Sequence, residues 1–217
     1  MRNSRRSVLA FVWMVSVAAA SAATPGASDS GNVPLAGAAQ QAMLWVVRHG
    51  DHRGRPFAIV DKKQAHVHVF QPSGARVGAT QVLIGLTPGD RDAVPKVGTR
   101  SVASLAAHER TTPAGRFDSE PGHNDKGEAI VWFDYDAALA IHRLRPSPGH
   151  ERRPQRMVST DPLERRITYG CVVVPVSFYL DVIAPTLGRH RGVVYVLPEQ
   201  GTLEAMLRGA VVALSAP

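Results

Sequence analysis

The chain has 217 residues, with 25 Lys and Arg against 18 Asp and Glu, a formal net charge of +7 and a single cysteine. One cysteine excludes an internal disulfide framework. The basic excess is not gathered into a concentrated basic face interleaved with aromatics, which argues against a nucleic-acid partner.

Arg2, Arg5 and Arg6 precede an apolar stretch from Val8 to Ala20 and the small-residue pattern Ala20-Ser21-Ala22, the layout of a secretory signal cleaved after Ala22. Ser4-Arg5-Arg6-Ser7-Val8-Leu9 also has the form of a twin-arginine signal, so the route of export stays open between two types. The apolar stretch falls short of the ~20 residues that cross a bilayer, so no stable membrane span is expected. Removing residues 1–22 takes away three basic and no acidic residues and leaves 195 residues with a net charge of +4. That length suits one domain with a sizeable core. The expected location is the periplasm, and the modest positive charge suits attraction to an anionic wall or membrane surface.

Residues 23–34, small, polar and rich in Pro and Gly, are expected as a flexible linker. Over residues 35–50, Leu35, Ala39, Ala42, Met43, Val46 and Val47 recur at helical spacing up to His49-Gly50, which predicts an N-terminal amphipathic helix packed on the domain. Residues 51–200 are expected as the main folded domain, with residues 201–217 as a C-terminal tail.

Within that domain, Phe57–Val60, Ala65–Phe70 and Val77–Ile84, with a turn at Gln71-Pro72-Ser73-Gly74, predict a β-meander. Strands are also expected at Gly115–Asp118, Ala129–Phe133, Ala137–Arg143 and Arg191–Leu197, the last as a buried closing strand, with one helix at Val176–Ile183. Strands in short succession with few helices indicate a β-rich domain, all-β or α+β, rather than a βαβ fold.

The only thiol, Cys171, follows Gly170 and lies three residues after the hydroxyl of Thr168. A lone buried cysteine often serves as a small apolar side chain. As a nucleophile, a thiol of ordinary pKa near ~8.5 needs an adjacent base or a positive dipole. Among nine histidines, His49, His52, His150 and His190 sit in polar, turn-like surroundings, and His108 and His123 fall in loops. His142 closes the apolar run Ala137–Ile141, so a rigid strand carries it, as a positioned base requires. His66 and His68 alternate on one face, but two ligands without a CxxC or HExxH partner make no zinc site, and no metal or other cofactor is expected. Arg152, Arg153, Arg156, Arg165 and Arg166 form a basic run between base and thiol, read either as solvated loop charge or as guanidinium partners for a substrate carboxylate.

In this order, the residues resemble the L,D-transpeptidase catalytic domain, also called the YkuD domain. The resemblance covers Phe57–Gln64 as the family's first strand and turn, Thr112-Pro113-Ala114-Gly115-Arg116-Phe117 as its TPxGxF element, His142 as its strand-borne histidine, and Thr168-Tyr169-Gly170-Cys171 as its Ser-x-Gly-Cys segment. Thr168 stands where the family usually has serine, and Val173 where it commonly has arginine or, in some branches, asparagine. The resemblance implies a β-sandwich or barrel of mixed strands with a few short helices. It implies Cys171 as nucleophile, His142 as general base, and the backbone at Gly170 and Cys171 as the oxyanion site. Arg166, Tyr169 and Arg143 are expected to bind substrate. The implied donor is a peptidoglycan tetrapeptide stem, attacked at the diaminopimelate carbonyl with loss of the terminal D-alanine. The implied acceptor is an amine on a second stem or on a wall-attached protein. Water in place of the amine makes an L,D-carboxypeptidase or endopeptidase of the same site, and a wall-binding domain with a decayed site is a further reading.

Overall fold

The computed structural model describes residues 33–90 and 102–215. The expected signal and nearly all of the linker lie outside the described residues. α1 (Gly37–His49) ends at Gly50, which adopts φ 62° and donates its N–H to the carbonyls of Val46 and Val47, the left-handed cap for which glycine has no steric cost. β1 (Phe57–Asp61), β2 (His66–Phe70) and β3 (Arg76–Gln81) form the expected antiparallel meander.

The run expected as one strand to Ile84 divides after Gln81. Leu83 exchanges two backbone hydrogen bonds with Val173, at 2.9 and 2.8 Å, and β4 (Ile84–Gly85) pairs in parallel with another segment further on. β5 (Gly115–His123) runs beyond the expected end at Asp118. Its pairing with the closing strand at Gly192–Val196 ends at Ser119, and Pro121 lies opposite Val131 in the ladder with the next strand. β6 (Ala129–Asp134) and β7 (Leu139–Arg143) follow as a hairpin.

The connection out of β7 contains α2 (Arg153–Met157) and leads to β8 (Arg166–Thr168), the partner of β4. β9 (Val172–Val174) then runs parallel to β7. Neither β8 nor β9 is foreseen above. α3 (Val176–Phe178) continues as a π-helical turn over Tyr179–Ile183, within the span predicted for a helix. β10 (Gly192–Val196) inserts between β1 and β5 rather than at an edge, which is why all five of its residues are buried. α4 (Leu203–Ser215) occupies the segment expected as a tail.

The main sheet has the order β3-β2-β1-β10-β5-β6-β7-β9, with β4 and β8 in a second, two-stranded sheet. The Leu83–Val173 bridge joins the segment after β3 to β9, the opposite end of that order, so the mixed sheet is nearly closed on itself. The result is a β-sandwich or barrel with few short helices. Alternation along each strand sends one set of side chains inward. Val60, Val67, Val131, Ile141, Val172, Val194 and Val196 meet there, capped by Phe178 and Ile183. The outward residues Phe57, Ile59, Phe70, Val193 and Tyr195 are covered by Ala39, Ala42 and Val46 of α1. Asp51, just past α1, accepts from the Tyr195 hydroxyl and from Arg116 Nε at 2.8 Å, which ties the helix end to β10 and β5.

Candidate active site

The register of β7 on β9 places Ile141 beside Val172 and His142 beside Val173. Ile141 and Val172 belong to the inner core, so alternation puts His142, Cys171 and Val173 on the opposite face. His142 and Cys171 line one open cavity of about 320 Å³, together with Thr168, Tyr169, Arg145 and Arg153. The Cys171 thiol rests against the Ala138 carbonyl, Sγ to O 3.6 Å, and the residue is half-buried.

His142 is 9% exposed. Its Nδ1 lies 2.8 Å from the Arg143 carbonyl oxygen. A carbonyl only accepts, so Nδ1 carries the proton and Nε2 of the neutral ring is left as a lone-pair acceptor. Burial lowers the imidazole pKa to about 4, reinforced by the nearby Arg145 and opposed by the Arg143 carbonyl and Glu128. The ring is therefore neutral at physiological pH, with its tautomer set by a backbone carbonyl.

The turn carrying the thiol is held from two sides. Thr168 Oγ1 donates to the Cys171 carbonyl at 2.7 Å and accepts from the Gly170 N–H at 3.2 Å. The Gly170 N–H, expected as an oxyanion donor, is thus directed onto Thr168. Gly170 adopts φ 123°, and a Cβ there would lie 2.7 Å from both Leu139 Cδ2 and the Thr111 carbonyl oxygen, so glycine is required for conformation and for space. From the interior, Thr112 Oγ1 donates to the Gly170 carbonyl at 2.9 Å and accepts from the Gly85 N–H at 2.9 Å. Thr112, the first residue of the TPxGxF element, was not foreseen as a site residue; its only sequence signal is its place in that element.

The expected substrate-binding residues are not all brought together. Tyr169 lines the cavity, and the Arg110 guanidinium lies over its ring at 4.4 Å from the centroid. Arg166 does not line the cavity: it is buried and donates to Glu199, to the Gly85 carbonyl and to the Lys62 carbonyl. Glu199 also lies 3.7 Å from Lys62 Nζ, and Lys62 donates to Asp90 at 2.8 Å. Arg166 therefore belongs to a buried ionic cluster beneath the site, with both terminal nitrogens bound to protein acceptors. Arg143 is likewise absent from the cavity lining and pairs with Glu128 at 2.7 Å.

Of the basic run, Arg153 reaches the cavity, Arg152 lines an adjoining one of about 410 Å³, and Arg165 is fully buried against the Ser159 and Gln64 carbonyls. Arg145, which the sequence reading passed over, also lines the cavity. Val173 is fully buried against Leu83 and Met157, so β9 contributes no polar group two residues beyond the thiol. His52, expected in solvent, is buried and bonded through Nε2 to the Pro72 carbonyl at 2.8 Å.

The rings of His66 and His68 stand 6.5 Å apart. Among the described residues no group of three or more His, Cys, Asp or Glu side chains is placed to hold a metal ion. No helix among them is long and apolar enough to cross a membrane.

No family model matches the chain, and no curated protein matches it. Among solved structures it is similar to the catalytic domain of an E. faecium L,D-transpeptidase, with 19% identity over 66% of this chain and 98% of that one and a TM-score of 0.37. It is similar to an L,D-transpeptidase from Xylanimonas cellulosilytica, with 16% identity over 66% of this chain and 60% of that one and a TM-score of 0.38. It is also similar to the helical cell shape determining protein Pgp2 from Campylobacter jejuni, with 14% identity over 84% of this chain and 64% of that one and a TM-score of 0.43.

Proposed function

We propose that the protein is an exported cysteine acyltransferase of the cell wall, an L,D-transpeptidase that acts on peptidoglycan stem peptides through a thioester on Cys171. The observation that carries this reading is the pairing of a half-buried thiol with a neutral, tautomer-fixed imidazole in one open cavity. A thiol with an imidazole base beside it is one arrangement that supports acyl transfer. The order of the TPxGxF element, His142 and the Thr168–Cys171 segment supports the same reading.

In this mechanism Sγ attacks the diaminopimelate carbonyl carbon while His142 Nε2 takes the thiol proton. The Gly170 carbonyl is fixed inward by Thr112, and in a planar trans peptide the following N–H points the opposite way. The Cys171 N–H is then the backbone donor nearest the reacting sulfur for the developing oxyanion. Collapse breaks the C–N bond, and the imidazolium protonates the departing D-alanine amine. An acceptor amine then attacks the thioester carbonyl, its proton passes to His142, and the thiol is restored.

The test is intact-protein mass spectrometry after exposure to a carbapenem, an acylating mimic of the donor, with Cys171→Ala as control. A stable adduct on the wild type alone is the expected result. Folded wild-type protein that takes up no adduct overturns the reading.

A further inference from the structure

Another open cavity, of about 260 Å³, lies where β5 ends its pairing with β10 and begins its pairing with β6, and it shares no lining residue with the thiol cavity. Trp132 and Tyr135 form its apolar wall, their rings 5.3 Å apart and edge to face. Tyr135 is 58% exposed, so aromatic surface is left in solvent beside the cavity. Gly122 keeps the place of the indole: a Cβ there would lie 2.6 Å from Trp132 Cδ1 and 2.8 Å from Nε1, so the ring rests directly on the β5 backbone.

The polar wall is ion-paired, Arg55 with Asp118 at 2.7 Å and Arg191 with Glu120 at 2.9 Å. Two cations and two carboxylates cancel, which gives an ionic ligand no net attraction. Paired carboxylates and guanidiniums still keep lone pairs and N–H groups for a neutral one. Ser119 also lines the cavity; it is 2% exposed, and its Oγ is buried without a hydrogen-bond partner. Buried hydroxyls are satisfied in folded proteins, so this one points to a polar occupant.

A pyranose ring meets these demands together. Its C–H groups present an apolar face to an aromatic ring, its hydroxyls donate and accept at once, and it carries no charge. A nucleotide would stack but brings a phosphate that the balanced charges do not attract. A peptide brings donors and acceptors but no flat C–H face.

Val131 and Phe133 belong to the inner core, so alternation turns Trp132 outward, opposite Ala140 and on the face that carries His142. Only β7 separates β6 from β9, a spacing of about 10 Å across two ladders. One polymer a few residues long therefore reaches both places.

We propose that this cavity is a saccharide-binding site in which Trp132 and Tyr135 receive the sugar face and Ser119 a hydroxyl, and that it holds the glycan part of the wall polymer whose peptide meets Cys171. The second half rests on the transpeptidase reading; the saccharide site does not.

The test is an NMR titration of the protein with N-acetylchitotetraose, following the Trp132 indole Nε1–H resonance, with a neutral tripeptide amide as the comparison. A saturable shift with the saccharide is expected, and Cys171→Ala and the distant Arg208→Gln keep the wild-type affinity. Tyr135→Ala is expected to weaken binding at least tenfold. Gly122→Ala, which displaces the indole without removing it, also weakens it. Ser119→Ala is expected to weaken binding with no loss in thermal midpoint, because the hydroxyl it removes has no protein partner. No shift at millimolar saccharide, or shifts with the peptide alone, overturns the proposal. So does wild-type affinity in Tyr135→Ala, Gly122→Ala and Ser119→Ala. Saccharide binding without a carbapenem adduct rejects the transferase reading and leaves the site standing; an adduct without saccharide binding does the converse.

Discussion

The hydroxyl of Thr112 donates to the carbonyl of Gly170 at 2.9 Å across 58 positions of sequence. The same oxygen accepts from the Gly85 N–H, and the Thr112 carbonyl accepts from the buried Lys62 ammonium at 3.0 Å. One side chain thus connects the buried ionic cluster, β4 and the turn that presents the thiol. Replacing it with valine keeps the shape and leaves the Gly85 N–H and Gly170 carbonyl unsatisfied. Thr112→Val is expected to lose about 1–3 kcal/mol of stability in urea unfolding and to slow carbapenem acylation, while Thr112→Ser keeps both. Equal acylation by wild type and Thr112→Val would remove Thr112 from the positioning of Cys171.

Gly170→Ala places a methyl group 2.7 Å from the Thr111 carbonyl oxygen in a left-handed conformation. The backbone cost alone is about 1–3 kcal/mol, and the contact adds to it. The expected outcome is a lowered thermal midpoint and loss of the acyl-enzyme. Retention of wild-type acylation would mean that the 168–171 turn tolerates another geometry.

His142 and His68 both have their pKa lowered to about 4, first of all by burial. Folding depresses these values below the ordinary 6.5, so above about pH 6.5 the two states bind equal numbers of protons and the groups contribute no slope. As pH falls from 6.5 toward 4 the unfolded chain takes up protons that the folded one refuses, and stability is lost, on the order of 1–3 kcal/mol for each histidine at the limit. Urea midpoints across this range check the slope, which His68→Gln is expected to reduce.

Under the proposed mechanism, the same depressed value sets the acid limb of Cys171 acylation. With His142 neutral down to low pH, the second-order rate of Cys171 acylation is expected to hold from about pH 7 to pH 5 and to fall with a midpoint near 4, since kcat/KM reports the free enzyme. A midpoint near 6.5 would show an imidazole in contact with bulk water.

Glu199 accepts from Arg166 and the Gly89 N–H and stands 3.7 Å from Lys62. Glu199→Ala leaves two buried cations short of a counter-charge, and breaking a buried pair from one side costs about 3–5 kcal/mol. Chemical denaturation is expected to show a loss of that order, larger than for the exposed pair Arg208→Gln.

Much of the fold was legible because burial on one face writes itself locally. The apolar runs at Phe57–Val60, Ala129–Phe133 and Arg191–Leu197 and the helical spacing from Leu35 to Val47 mark elements that the structure contains. His142 and Cys171 were legible as a pair by residue type and order. β8 and β9, at three residues each, are too short to carry a period. The break after Gln81 answers to Leu83 meeting Val173, a partner 90 positions away, for which no local pattern exists.

By itself, then, the sequence determined a β-rich chain and named one thiol and one strand-borne histidine as candidates for chemistry. Only the tertiary structure decided which charges meet them. Arg166 and Arg143 look available in sequence and are committed to Glu199 and Glu128, whereas Arg145 and Arg153 reach the cavity. Residue type specifies what a side chain is able to bind, but a guanidinium's partner is set by which strands and loops converge on it, through contacts between residues far apart in the chain.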